Sequence, residues 1–134
     1  MLQEQAEAFS PHIARLHARA FALPMRIVLT DGADKRVLAA TRTLVKESEI
    51  RPLLVGQAAS ILPHLKHMGV TEKVDVYDPS EDPRQHDLVD LLHTQLEKRG
   101  KAIPDRSTLS ALASEPIYSG ILLVQAGLAD GLVG

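Results

Sequence analysis

Short aliphatic segments alternate along this chain with longer segments whose apolar residues recur at helical spacing. The first three aliphatic segments are residues 25–30, 51–55 and 73–77, and each is followed by turn-forming residues. Because parallel strands need a long crossover connection between them, usually a helix, this alternation predicts an α/β fold. We expect three layers, with a largely parallel sheet and helices on both of its faces.

The segments between the strands carry the helical patterns. The chain predicts helices from Asp34 to near Glu49, over residues 58–68, from directly after Pro83 to Gly100, and over residues 107–113 and 117–126. Pro104 and Pro116 are expected to be the first residues of the last two helices. A final strand starts at Leu132-Val133, directly before Gly134, so we expect an incomplete domain.

Apolar residues also recur at helical spacing before Pro24. We therefore divide the chain into an amino-terminal helical segment, residues 1–24, and a partial α/β domain, residues 25–134. Proline at position 24 ends the helical pattern because it cannot continue a helix.

Composition excludes several classes of function. The net charge is −2, so the basic surface expected of a nucleic-acid-binding protein is missing. The chain contains no cysteine, which excludes disulfides and thiol catalysis and favours a reducing compartment. Apolar runs are too short to cross a bilayer. We therefore expect a cytoplasmic protein that binds neither nucleic acid nor membrane.

Three residues near the end of the first predicted strand are candidate ligand-binding groups. Asp31, Gly32 and Arg36 follow that strand, and open α/β sheets bind ligands at the carboxyl ends of their strands. Glycine lets a backbone approach an anion, and an arginine pairs with one. The alternative is structural: Asp31-Gly32 is a turn, Asp34 is a helix cap, and Arg36 is a solvated or ion-paired side chain.

Other chemistry-bearing residues lack the partners that a site requires. His64 and His67 lie three residues apart on a predicted helix, a spacing that suits a metal ion, but no third ligand is evident. Ser107, Thr108 and Ser119 have no recognisable base beside them. We predict no metal site and assign no catalytic residue.

Several motifs resemble those of one family. The segment RIVLTDGADKRVLAA, residues 26–40, resembles the opening of phosphotransacetylases, with Thr30-Asp31 in place of the usual Pro-Glu. Residues 51–56 and 77–84 resemble the family's second strand and the loop before its long helix. Residues 115–120 resemble its Asp-Pro-Leu-Tyr helix start, and residues 127–131 match its Gly-x-Ala-Asp-Gly turn. Gly134 stands where Ser, Thr or Ala is more usual.

This resemblance to the phosphate acetyl/butyryltransferase family implies an enzyme that exchanges an acyl group between coenzyme A and inorganic phosphate. It implies acyl-CoA and phosphate as small-molecule substrates, no further cofactor, and a homo-oligomer. Most of the family's catalytic groups lie beyond Gly134, and an arginine of the family aligns with Leu96. We therefore expect an amino-terminal fragment that is inactive alone. The alternative is a non-catalytic module for acyl-CoA or acyl phosphate binding, or for assembly through the apolar helix after Pro116.

Overall fold

Four parallel strands form the sheet of the computed structural model, which describes residues 24–134. They are β1 (Arg26–Leu29), β2 (Arg51–Val55), β3 (Asp75–Tyr77) and β4 (Gly131–Val133). Their order across the sheet is β3-β2-β1-β4, and every neighbouring pair is parallel. The predicted α/β class with a parallel sheet is confirmed.

Five α-helices connect these strands within residues 24–134. They are α1 (Lys35–Glu47), α2 (Ala58–Met68), α3 (Gln85–Lys98), α4 (Arg106–Ser114) and α5 (Pro116–Gln125), with a short 3-10 helix at Thr71–Lys73 between α2 and β3. The predicted helical segment before Pro24 lies outside the described residues.

Each strand sends alternate side chains to opposite faces of the sheet, which produces two separate cores. Leu29 and Leu54 pack with Ile61 and other residues of α1 and α2. The neighbouring strand residues Val28 and Leu53 instead pack against apolar residues of α3, α4 and α5. Helices therefore cover both faces, as the sequence predicts.

Two predicted element starts are wrong. Lys73 does not begin β3, because its N–H donates to the Val70 carbonyl at 3.0 Å and closes the 3-10 turn. Pro104 does not begin α4: the Asp105 carboxylate accepts a hydrogen bond from the Thr108 N–H at 2.8 Å and is the helix cap. Pro116, in contrast, is the first residue of α5 as predicted.

A buried polar network fixes the outer strand β3 to the helices that follow it. The Tyr77 hydroxyl donates to Gln85 Oε1 at 2.5 Å, and Gln85 Nε2 donates to Ser114 Oγ at 3.2 Å. Arg84 lies over the Tyr77 ring, 5.2 Å from its centroid, and pairs with Asp75 at 2.9 Å. Burial raises the pKa of Tyr77 well above its usual range, so the phenol stays protonated and keeps this hydrogen bond.

Candidate functional site

The strand order reverses between β1 and β4. Strands β1, β2 and β3 are added in one direction, and the chain then returns through α3, α4 and α5 to place β4 on the other side of β1. Open α/β sheets bind ligands in the crevice at the carboxyl ends of the strands where such a reversal occurs. The carboxyl edge of β1 is therefore the place where a ligand site is expected from topology.

A shallow cleft of about 360 Å³ lies at this edge, and we call it the carboxyl-edge cleft. Its lining residues come from the turn after β1, the end of β2 and the start of α5: Thr30, Asp31, Gly32, Ala33, Asp34, Val55, Gly56 and Pro116. The structure thus brings two of the three candidate residues, Asp31 and Gly32, into one cleft. Arg36 lies in the first turn of α1 and does not line it.

Close packing around residue 32 leaves no room for a side chain, which explains why this residue is glycine. Its N–H donates to the Val55 carbonyl at 3.1 Å, which ties the turn after β1 to the end of β2. A Cβ at this position would lie 2.6 Å from Ile61 Cδ1 and 3.0 Å from the Val55 oxygen. Because the amide already has an acceptor, an anion at Gly32 would have to compete with Val55 for it.

Arg36 and Asp34 form the amino-terminal end of α1. Asp34 is the helix cap and accepts from the Arg36 N–H at 2.7 Å, while the Arg36 guanidinium pairs with the same carboxylate at 3.4 Å. The hydrogen bond from the Arg36 side chain, joined by that from its backbone N–H, lowers the pKa of Asp34. The Arg36 side chain is 93% exposed, so its charge faces solvent beside the carboxyl-edge cleft.

Asp78 is a structural residue of this edge whose role sequence reasoning missed. It follows β3, yet its Oδ2 accepts from the Ala58 N–H at 2.9 Å and so caps α2 from a neighbouring strand. Its Oδ1 accepts from both the N–H and the hydroxyl of Ser80. The Ser80 hydroxyl, followed by the Ala58 N–H, lowers the pKa of Asp78. The amino-terminal end of α2 is thus already occupied by a carboxylate.

Thr30 is the second residue of this edge that sequence reasoning did not single out. It is only 5% exposed, and its N–H donates to the Val133 carbonyl at 3.4 Å. The substitution of Thr30-Asp31 for the family's Pro-Glu is visible in the sequence, but the burial of Thr30 at the β1–β4 junction is not.

A second cleft of similar volume, about 370 Å³, lies at the opposite edge of the sheet. It is lined by the end of α1, the start of β2 and the 3-10 helix before β3, including Lys46, Arg51 and Lys73 together with Glu47 and Glu49. Volume therefore does not distinguish the two clefts. Topology favours the carboxyl-edge cleft, because open parallel sheets bind their ligands at the carboxyl ends of the strands.

The other residues considered above lie apart from the carboxyl-edge cleft. His64 and His67 are exposed on α2, and within residues 24–134 no group of three or more His, Cys, Asp or Glu is placed to hold a metal ion. Ser119 is buried and donates to the Ala113 carbonyl. Ser107 donates to Asp105 Oδ1 beside the start of α4. In the same described part of the chain, no helix is long and apolar enough to span a membrane.

Comparison with known proteins agrees with this architecture. Among curated proteins, the chain is 32% identical over 110 residues to a phosphate acetyltransferase of Bacillus subtilis, an alignment that spans 81% of this chain and 33% of that protein. It is 30% identical over 112 residues to an NAD-dependent malic enzyme of Rhizobium meliloti, spanning 81% of this chain and 14% of the enzyme.

Among solved structures, a phosphotransacetylase from Streptococcus pyogenes superposes with a TM-score of 0.71 at 25% identity, covering 92% of this chain and 37% of that one. The chain thus spans about a third of the length of the phosphate acetyltransferase relatives it matches. The family model described as Phosphate acetyl/butaryl transferase matches residues 12–134. Since that match covers most of the sequence, the chain belongs to the phosphate acetyl/butyryl transferase family.

Proposed function

We propose that this chain forms the amino-terminal part of a phosphate acyltransferase, which exchanges an acyl group between coenzyme A and inorganic phosphate. The observation that carries the proposal is the family match over residues 12–134. It is supported by the position of the carboxyl-edge cleft at the reversal of strand order. We propose acyl-CoA and phosphate as its small-molecule ligands, with no further cofactor, and the cytoplasm as its place of action.

In this exchange the coenzyme thiol loses its proton, its sulfur bonds to the acyl carbon, and the carbon–oxygen bond to phosphate breaks. Negative charge therefore develops on the departing phosphate, which can take up the proton. Arg36 supports the proposal because its exposed guanidinium, which makes two long contacts to Asp34 at 3.4 and 3.5 Å, can turn toward an anion in the cleft. Asp31 is exposed at the rim, where its carboxylate can accept hydrogen bonds from the coenzyme. Gly32 would then keep its packing role and bring the turn close to the ligand.

We propose that these 134 residues bind ligand but do not catalyse the acyl transfer alone. The chain matches about a third of the length of the phosphate acetyltransferase relatives. If residues outside these 134 supply the catalytic groups, this part of the enzyme contributes only ligand-binding groups.

A second function, as a non-catalytic module for binding or assembly, is favoured by two observations. One relative is an NAD-dependent malic enzyme, of which the matched part is only 14%. In addition, Ile117, Tyr118 and Ile121 form an exposed apolar strip on α5, with 51%, 42% and 39% of their surface accessible. In this alternative the strip contacts another copy of the chain or another domain.

The test combines an assay of acetyl phosphate formation from acetyl-CoA and phosphate with separate calorimetric titrations of coenzyme A and of phosphate into the 134-residue chain. We expect coenzyme A binding without turnover. Turnover would contradict the proposal that the part is inactive alone. Failure to bind either coenzyme A or phosphate would overturn the ligand-binding role and favour assembly.

Matched variants test the residue assignment. Arg36→Gln is expected to weaken phosphate binding by roughly tenfold, because it removes one charge-assisted contact. Arg42→Gln removes the same charge from an exposed position farther along α1 and serves as the control. If both variants weaken phosphate binding equally, only the net charge matters and Arg36 is not a specific binding residue.

A further inference from the structure

Thr30 carries a buried hydroxyl that makes no hydrogen bond to any other residue within 24–134. Three other buried hydroxyls each donate to a protein acceptor: Thr41 to the Val37 carbonyl at 2.8 Å, Ser119 to the Ala113 carbonyl at 2.5 Å, and Tyr77 to Gln85 Oε1 at 2.5 Å. Thr30 is 5% exposed, and its Oγ1 has no such partner within the described residues. Leaving a buried hydroxyl without a partner costs about 1–3 kcal/mol, whereas a valine of the same shape would avoid the cost.

The hydroxyl lies where β1, β4 and the start of α5 meet. A Cβ built on Gly134 would be 2.9 Å from Thr30 Oγ1 and also 2.9 Å from Ile117 Cδ1. Glycine at position 134 therefore keeps open a small space between the Thr30 hydroxyl and the first turn of α5. Thr30 and Pro116 also line the carboxyl-edge cleft together, so this space lies between two residues of the cleft lining.

The surroundings favour an anionic oxygen as the missing partner. Helix α5 has ten residues, and its cap residue, Glu115, makes no side-chain hydrogen bond to the N–H groups of the first turn. The positive end of the α5 dipole lies near Thr30, and the Glu115 carboxylate at this end bonds to none of its N–H groups, whereas Asp34 and Asp78 accept from N–H groups at the starts of α1 and α2. A hydroxyl donor beside the positive end of a helix suits a phosphoryl oxygen.

We propose that Thr30 Oγ1 donates a hydrogen bond to a phosphoryl oxygen bound in the carboxyl-edge cleft, and that Thr30 is a binding residue for phosphate-bearing ligands. This inference rests on the proposed function and adds to it a residue that the turn motif at Asp31, Gly32 and Arg36 does not include. Inorganic phosphate, an acyl phosphate and the phosphates of coenzyme A share the required chemistry.

The test compares Thr30→Val, Thr30→Ser and Thr41→Val with the wild-type chain, using titration with inorganic phosphate and, separately, with coenzyme A. Thr30→Val should weaken binding of at least one of these probes on the order of tenfold. Thr30→Ser keeps the hydroxyl and should therefore keep the wild-type affinity. Thr41→Val should leave both affinities unchanged. An effect confined to one probe would support the inference and identify which phosphoryl group the hydroxyl contacts.

Thermal unfolding without ligand separates binding from folding. Thr30→Val should be at least as stable as the wild type, because it removes a buried donor that lacks a protein partner, whereas Thr41→Val should be less stable. Wild-type affinity of Thr30→Val for both probes would overturn the inference and leave the proposed function intact. Absence of binding by the wild-type chain would overturn both. A Thr30→Val chain that melts well below the wild type would show a structural role for the hydroxyl and would also overturn the inference.

Discussion

Gly32→Ala tests whether this glycine is required by packing between β1, β2 and α2. The new methyl group would lie 2.6 Å from Ile61 Cδ1, 3.0 Å from the Val55 oxygen and 3.1 Å from Leu54 Cβ. Gly32 does not lie in the left-handed region, so the substitution adds contact strain and no backbone strain. Overpacking of this kind costs about 1–3 kcal/mol. We expect the free energy of unfolding in urea to fall by that amount.

A double-mutant cycle identifies the clash that causes the loss. Ile61→Val removes Cδ1 and alone costs about 0.5–1.5 kcal/mol. In the Ile61→Val background, Gly32→Ala should cost about 1 kcal/mol less than in the wild type, because the nearest contact is gone while those to Val55 and Leu54 remain.

Gly127→Ala is the control for this cycle. Gly127 has a φ of +79° and no atom within 4 Å of a built Cβ, so its substitution adds only left-handed strain of about 1–2 kcal/mol. Its cost should be the same in the wild type and in the Ile61→Val background. If the costs of Gly32→Ala and Ile61→Val simply add, Ile61 does not limit the space at Gly32 and the packing explanation is refuted.

Two further substitutions and one pH profile test the hydrogen bonds made by Asp78 and Tyr77. Asp78→Ala should destabilise the chain by about 1–3 kcal/mol in urea, since the Ala58 N–H loses its acceptor; an unchanged midpoint would contradict capping by Asp78. The pKa of Asp78 is lowered on folding, so its stabilisation is fully present above the unfolded value of 3.8 and is lost as pH falls through the folded pKa. The wild type and Asp78→Ala should therefore converge in stability below about pH 4, and a constant difference down to about pH 2 would oppose this assignment. Tyr77→Phe should cost about 1–2 kcal/mol because Gln85 loses its buried donor, and an equally stable variant would show that the hydrogen bond contributes nothing.

The layered fold could be predicted from sequence because its causes are local and periodic. Alternate residues such as Val28 and Leu29 belong to opposite faces of β1, and the apolar stripe of α1 follows the helical period. The prediction fails at Lys73 because this residue precedes Val74 in an apparently alternating pattern, while its hydrogen bond to Val70 closes a turn there.

The site was less predictable because its contacts join residues that are distant in sequence. Asp78 caps α2 across twenty positions, which requires knowing that β3 lies beside β2. The burial of Thr30 requires knowing that β4 pairs with β1. Asp31, Gly32 and Arg36 follow a strand, which is a local signal, but that signal could not show that the Gly32 amide is already used by Val55. Their part in ligand binding stays a prediction.

The most direct test of ligand binding at the carboxyl-edge cleft is to map coenzyme A binding onto the backbone amides of the 134-residue chain by two-dimensional NMR. We expect the largest shift changes at Thr30 and Asp31, which line the carboxyl-edge cleft, and at Ile117, which directly follows the lining residue Pro116, with Arg51 and Lys73 at the opposite edge unchanged. Changes centred on Arg51 and Lys73, or no changes anywhere, would contradict it.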